Sequence, residues 1–283
     1  MNAREFEYEG YLVFTPTLIR RRKTLLDVSQ PDDKPPTLDD LDELPGFEKG
    51  TPDEPGEGIE WVDLRDYRVP VEVREINKGT ETSLEFGKYK SEIFTPEEVY
   101  VDDEIREGHV RDVVSADIFA TSQDYLLLRG RKSAVNQAIN YIQAKRHGLL
   151  IEYVDISPRF LSELYKSPDQ IIGHTPLKLK KIRSVQFEGE SELSSIELSV
   201  GPYNADVRDQ SNDIGNRYPT SLVAIFEFFD VDVFVELKNN RIHARTSKGD
   251  LSEHPPITRM VYSTELSKII GRAALEHSMY NEE

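Results

Sequence analysis

The 283 residues contain no cysteine. That removes disulfides, thiol nucleophiles, iron–sulfur clusters and Cys-ligated zinc at once. Long apolar runs are also missing. A membrane helix needs roughly 18 to 20 consecutive apolar residues. The longest stretches here, such as Leu222–Phe229, are broken by acids. The first residues, Met1-Asn2-Ala3-Arg4-Glu5-Phe6-Glu7, are charged and alternating, without the apolar core of a secretion signal. These absences give the expectation of a cytoplasmic protein with no membrane partner.

The usual nucleotide and hydrolase signatures are missing too. There is no Walker loop, no Gly-x-Gly-x-x-Gly and no Gly-x-Ser-x-Gly elbow. The six histidines, at 109, 147, 174, 243, 254 and 277, show neither His-x3-His nor His-Glu-x-x-His spacing. No metal site and no cofactor is therefore expected, apart from Mg²⁺ under the nuclease reading below.

What the chain has in excess is acid. Net charge is −17, with 31% charged and 37% hydrophobic residues. Residues 27–60 hold twelve acids against two lysines, a net of −10. They also hold Pro31, Pro35, Pro36, Pro45, Pro52 and Pro55. Such a segment has too little apolar surface to offset its ordering entropy, so it is expected to be a disordered arm. Leu38, Leu41 and Leu44 recur within it at helical spacing and suit a short motif that contacts a protein partner. A halophilic source is one explanation of the acidity, although 15 lysines stand beside 20 arginines.

Hydrophobic periodicity predicts an α+β fold of mostly antiparallel strands with a few packed helices. Residues 5–19 alternate as a first strand. Residues 67–76 and 82–94 form a hairpin around Asn77-Lys78-Gly79-Thr80, and the first strand is expected beside it. Val113–Ala120 and Tyr125–Arg129 are strands. Arg131–His147 is the clearest helix, with Ala134, Val135, Ala138, Ile139 and Ile142 on one stripe. Ser157-Pro158 opens another helix. Strands follow at 149–154, 177–188, 195–200, 222–229, 231–237 and 241–246, then a C-terminal helix at 263–278. The expected division is a β-rich part over 1–109, carrying the acidic insertion, and an α+β domain over 110–283.

Two groups of residues could carry chemistry or contacts. Asp230, Asp232, Glu236 and Lys238 fall on one face of a strand by alternation. Acids that hold Mg²⁺ beside a lysine are what a metal-dependent nuclease requires. An apolar strand ending in Glu-x-Lys resembles the second half of the PD-(D/E)xK nuclease motif, over about ten residues. Asp213 or Glu227 could supply the upstream acid, but neither has the Pro-Asp context of that family. The second group is basic: Arg129, Arg131 and Lys132 at the start of the clear helix, and Lys178, Lys180, Lys181 and Arg183 on a later strand. Alternation sets Lys178 and Lys180 on one face and Lys181 and Arg183 on the other. These cations could contact nucleic acid or another anion.

Neither group is a complete catalytic constellation. The expectation is therefore a non-enzymatic interaction or assembly protein with a protein partner. A Mg²⁺-dependent nuclease and a nucleic-acid-binding module without catalysis are the alternatives.

Overall fold

The computed structural model describes residues 12–21, 41, 44–63, 85–101, 104–120, 125–146, 149–172, 175–188, 196–199, 218–246 and 256–279. Among the described residues every strand pairing resolved in register is antiparallel, and four helices accompany the strands, so the fold is α+β as expected. No described helix is long and apolar enough to cross a membrane.

The chain divides into two compact units: Met1–Thr17, Asp66–Glu81 and Tyr153–Glu283 in one, Leu18–Arg65 and Thr82–Glu152 in the other. The division expected at 109/110 falls inside a single strand, Glu104–Ala120.

In the unit of Leu18–Arg65 and Thr82–Glu152, four strands lie in the order β2 (Glu57–Asp63), β3 (Glu85–Val101), β4 (Glu104–Ala120), β5 (Tyr125–Arg129). Helix α1 (Lys132–Lys145) packs on β4 and buries Ala134, Val135, Ala138, Ile139, Tyr141 and Ile142. These are the stripe residues read from the sequence, with Tyr141 added. They meet Tyr89, Ile118, Leu126 and Leu128 from the strands. The Tyr89 hydroxyl donates to Glu57 at 2.6 Å. Burial, reinforced by that carboxylate, raises the Tyr89 pKa and keeps the phenol protonated.

The acidic stretch 27–60 is described in its second part. Leu41 and Leu44 are buried in this same core. Residues 45–56 form a loop leading into β2 and held by backbone hydrogen bonds, among them Ile59 N to the Pro45 carbonyl at 3.1 Å. The expectation of disorder is thus overturned for 44–60. Two buried leucines and a distant carboxylate supply what the local sequence lacks. Residues 27–40, 42 and 43 lie outside the described residues, as do 64–84, which contain the turn and first strand of the expected 67–94 hairpin.

In the other unit the strand order is β11 (Arg241–Thr246), β10 (Val231–Lys238), β9 (Tyr218–Phe228), β7 (Leu177–Glu188), β8 (Ile196–Ser199). The start of β1 (Leu12–Arg21) joins this order by pairing Leu12–Phe14 with Ile242–Ala244. This pairing replaces the expected one with residues 82–94, whose described part lies in β3 between β2 and β4. β10 and β11 alternate buried and half-buried residues without a break. One face is therefore core, covered by α2 (Pro158–Lys166) on β9 and by α4 (Pro256–Met279) on β11. α2 is capped as its sequence promises: Ser157 Oγ accepts from Phe160 N at 3.1 Å, with Pro158 following. The short α3 (Pro168–Ile172) leads back to β7. His277 near the end of α4 lies 2.9 Å from Glu163 of α2. The remaining strand, β6 (Leu149–Tyr153), carries Glu152, which pairs with Arg20 of β1 at 3.2 Å in the unit of α1.

Candidate functional site

β3 and β4 are each 17 residues long, far beyond the usual five or six of a strand. They pair with each other from Gly87 opposite Ile118 out to Val101 opposite Glu104. Their other neighbours stop early. β2 accompanies β3 only as far as Ser91, and β5 accompanies β4 only over Asp117–Ala120. Among the described residues, 92–101 and 104–116 therefore form a ribbon of two strands. At about 3.4 Å per residue its outer part is about 30 Å long.

The root of this ribbon is fixed by Glu92. Its carboxylate is buried and accepts from Gly50 N at 2.7 Å and Gly56 N at 2.9 Å. Arg111, on the facing strand, pairs with its second oxygen. Burial opposes ionisation, but the two N–H groups and the guanidinium outweigh it and hold the carboxyl below its usual range. Gly50 and Gly56 must be glycine for this approach. A Cβ on Gly50 would lie 2.1 Å from the Glu54 carbonyl oxygen, and one on Gly56 would lie 2.0 Å from that of Glu48.

Beyond the root no described strand lies beside the ribbon. Ile93 and Val110 share one face and are 43% and 41% exposed. Ile105 and Val113, on the other face, are 62% and 46% exposed. These four are most of the large apolar residues the described chain leaves exposed, Tyr153 and Met279 being the others. Residues 93–113 hold seven acids and two arginines, a net of −5. Glu98 even stands directly opposite Glu107, a like-charge pairing that disfavours the ribbon on its own. A two-stranded hairpin is marginal in water, and this one carries apolar residues on both faces. Such a surface is suited to being covered. Hydrophobic alternation does not mark this stretch as strand, because acids on both faces erase the period of two. A signal was present: β-branched Val99, Val101, Ile105, Val110 and Val113 flank the polar Asp102-Asp103 pair.

The acidic strand is arranged differently from its sequence expectation. Asp230 is not on the face of Asp232, Glu236 and Lys238. It sits with Phe229 in the β9–β10 turn, at φ of 60° and 49°. Both residues are left-handed because a two-residue hairpin turn of this twist requires it. Asp232 stands opposite Glu227, and Lys180 lies between them at 2.7 and 2.9 Å. Lys178 reaches Glu227 at 3.7 Å. Hydrogen bonds to Asp232 and Glu227 push the Lys180 ammonium up, and Lys180 pulls the Glu227 carboxyl down. The two closest acids are thus neutralised by lysine and not left to gather a cation. Glu236 is four residues along the strand from Asp232, about 13 Å away. It faces His243, whose burial outweighs the attraction of Glu236 and lowers its pKa. Among the described residues no group of three or more His, Asp or Glu could hold a metal ion. Asp213 lies outside the described residues.

The basic residues also divide. Arg129 is buried and spent on Asp117, its partner in register, with Nε 2.7 Å from Oδ2 and the guanidinium 5.7 Å from the Phe119 ring centre. Arg131 and Lys132 are exposed at the start of α1. On β7, an irregularity between Leu179 and Lys181 changes the alternation. Lys178 stands opposite Glu227 and Lys181 opposite Ile225, while Lys180 binds Glu227. All three lysines are therefore on the outer face, against the expected split. Arg183 falls in a second irregularity, between Ile182 and Ser184. Leu41 and Leu44 are core residues and not a displayed motif, and Leu38 lies outside the described residues.

No family model matches the chain, and a search of curated proteins finds no match either.

Proposed function

We propose that this is a non-enzymatic interaction or assembly protein, and that the β3–β4 ribbon is where it docks a partner protein. One observation carries the reading. The outer ribbon pairs with no third strand among the described residues, yet exposes Ile93, Ile105, Val110 and Val113. A chain with a sizeable core has no need of this projection for folding. Its edges and apolar side chains are what strand-adding and hairpin-docking interfaces use. The acidic contact surface expected over 27–60 is thereby moved to 93–113, a stretch of net −5 that includes most of the ribbon. A complementary partner surface covers these apolar side chains and sets opposite charges against those of the ribbon.

The reading is tested by placing a photoreactive amino acid at Val110 in cells that make the protein, with the exposed Glu276 of α4 as a control position. A discrete adduct from Val110, lost when Ile93→Ser and Ile105→Ser are introduced together, supports it. Equal and diffuse labelling from both positions overturns it.

A further inference from the structure

The free edge of β4 has a property that the rest of the ribbon lacks. From Ile105 to Val113 it reads Ile, Arg, Glu, Gly, His, Val, Arg, Asp, Val. Turned end for end about His109, this stretch complements itself. Ile105 comes opposite Val113, Arg106 opposite Asp112, and Glu107 opposite Arg111. A two-fold axis gives each of these pairs twice. Moving the axis to Val110 sets Glu107 against Val113 and Arg106 against Val114, and every ion pair is lost.

We propose that two copies of this chain join their β4 edges as antiparallel neighbours about an axis at His109. The inference rests on the reading of the ribbon as a docking surface and names a second copy as the occupant. Three observations support that choice. β5 stops at Asp117, so the outer edge of β4 from 104 to 116 has no strand beside it among the described residues. Ile105, Glu107, His109, Arg111 and Val113 are all exposed, and they share the face on which the Ile105–Val113 and Glu107–Arg111 pairs would form. Between Ile105 and Val113 two arginines balance two acids, and this register sets each arginine opposite an acid of the other copy. The edge of β3 is a poorer choice, because Pro96 offers no N–H and Glu97 and Glu98 follow it. Arg111 already meets Glu92 within its own chain. Its five N–H donors leave room for Glu107 of the second copy.

The chain has no cysteine, so an introduced one is a clean reporter. Residues facing each other across an antiparallel pair lie about 4.5 to 5.5 Å apart at Cα, within reach of a disulfide. Mild oxidation of His109→Cys is expected to give a covalent dimer, and the same treatment of Glu98→Cys on β3 to leave monomer. Sedimentation over a concentration series should show a reversible dimer. Arg106→Asp should weaken it about tenfold, through two symmetric pairs turned from attraction to repulsion. Combining it with Asp112→Arg should restore it. A monomer at every concentration with no His109→Cys cross-link overturns the self-pairing, and so does a double exchange that fails to restore. If Val110 still gives a discrete adduct with a different protein, only the self-pairing has failed. If Val110 gives none, the docking ribbon has failed with it.

Discussion

Glu92 holds Gly50 across 42 residues of sequence, with its Oε2 2.7 Å from the glycine nitrogen. That contact turns an acidic, proline-rich stretch into an ordered loop at the root of the ribbon. Glu92→Gln should loosen residues 45–56 and speed amide exchange at Gly50 and Gly56, while α1 exchanges as before. The pH dependence follows from the depressed folded pKa. The carboxylate stabilises the fold above its unfolded value, about pH 4.3. That contribution is lost as pH falls through the lower folded value. Denaturation midpoints of the two proteins should differ by a constant amount above about pH 5 and converge below about pH 4. Midpoints that stay parallel to low pH would contradict the role given to this carboxylate.

Asp117 and Arg129 form a buried pair at the junction of β4 and β5. Removing one partner leaves a charge in the interior, which typically costs about 3–5 kcal/mol. Asp117→Ala should therefore destabilise strongly in chemical denaturation. Replacing both residues, Asp117→Leu with Arg129→Met, should recover most of the loss, since the desolvation cost goes as well. A double variant no better than the single would show that Arg129 acts mainly through other contacts.

Lys180 between Asp232 and Glu227 bears on the nuclease alternative. With those acids paired and Glu236 far along the strand, incubation with DNA or RNA and Mg²⁺ or Mn²⁺ should leave the nucleic acid intact. The metals should not move the unfolding midpoint. Cleavage that disappears in Glu236→Ala would restore the catalytic reading.

Much of the fold was legible because single elements declare themselves locally. Ser157-Pro158 caps α2 as written, Asn239 and Asn240 take the left-handed turn between β10 and β11, and α1 buries the stripe its spacing marks. The misreadings have a common cause in partners remote from the local pattern. The loop at 45–56 depends on Glu92, and the burial of Leu41 and Leu44 depends on the core around α1. The lysines of β7 share a face because of one irregular residue, which no alternation shows in advance. Parity places Asp230 on the face of Asp232, whereas the chain uses it in the turn before β10. The ribbon is the least legible element, since a strand exposed on both faces has no hydrophobic period to read.

The central claim is that the outer ribbon serves docking and not folding. The most direct test is the thermal unfolding of a chain in which residues 96–109 are replaced by Asn-Gly. This joins Thr95 to Val110, which already face each other, through a two-residue turn. The replacement keeps Glu92, Arg111 and the core of α1. The account predicts a cooperative transition with a midpoint within about 3 °C of the parent. A shortened chain that fails to fold, or melts far lower, would make the ribbon part of the folding core and contradict the account.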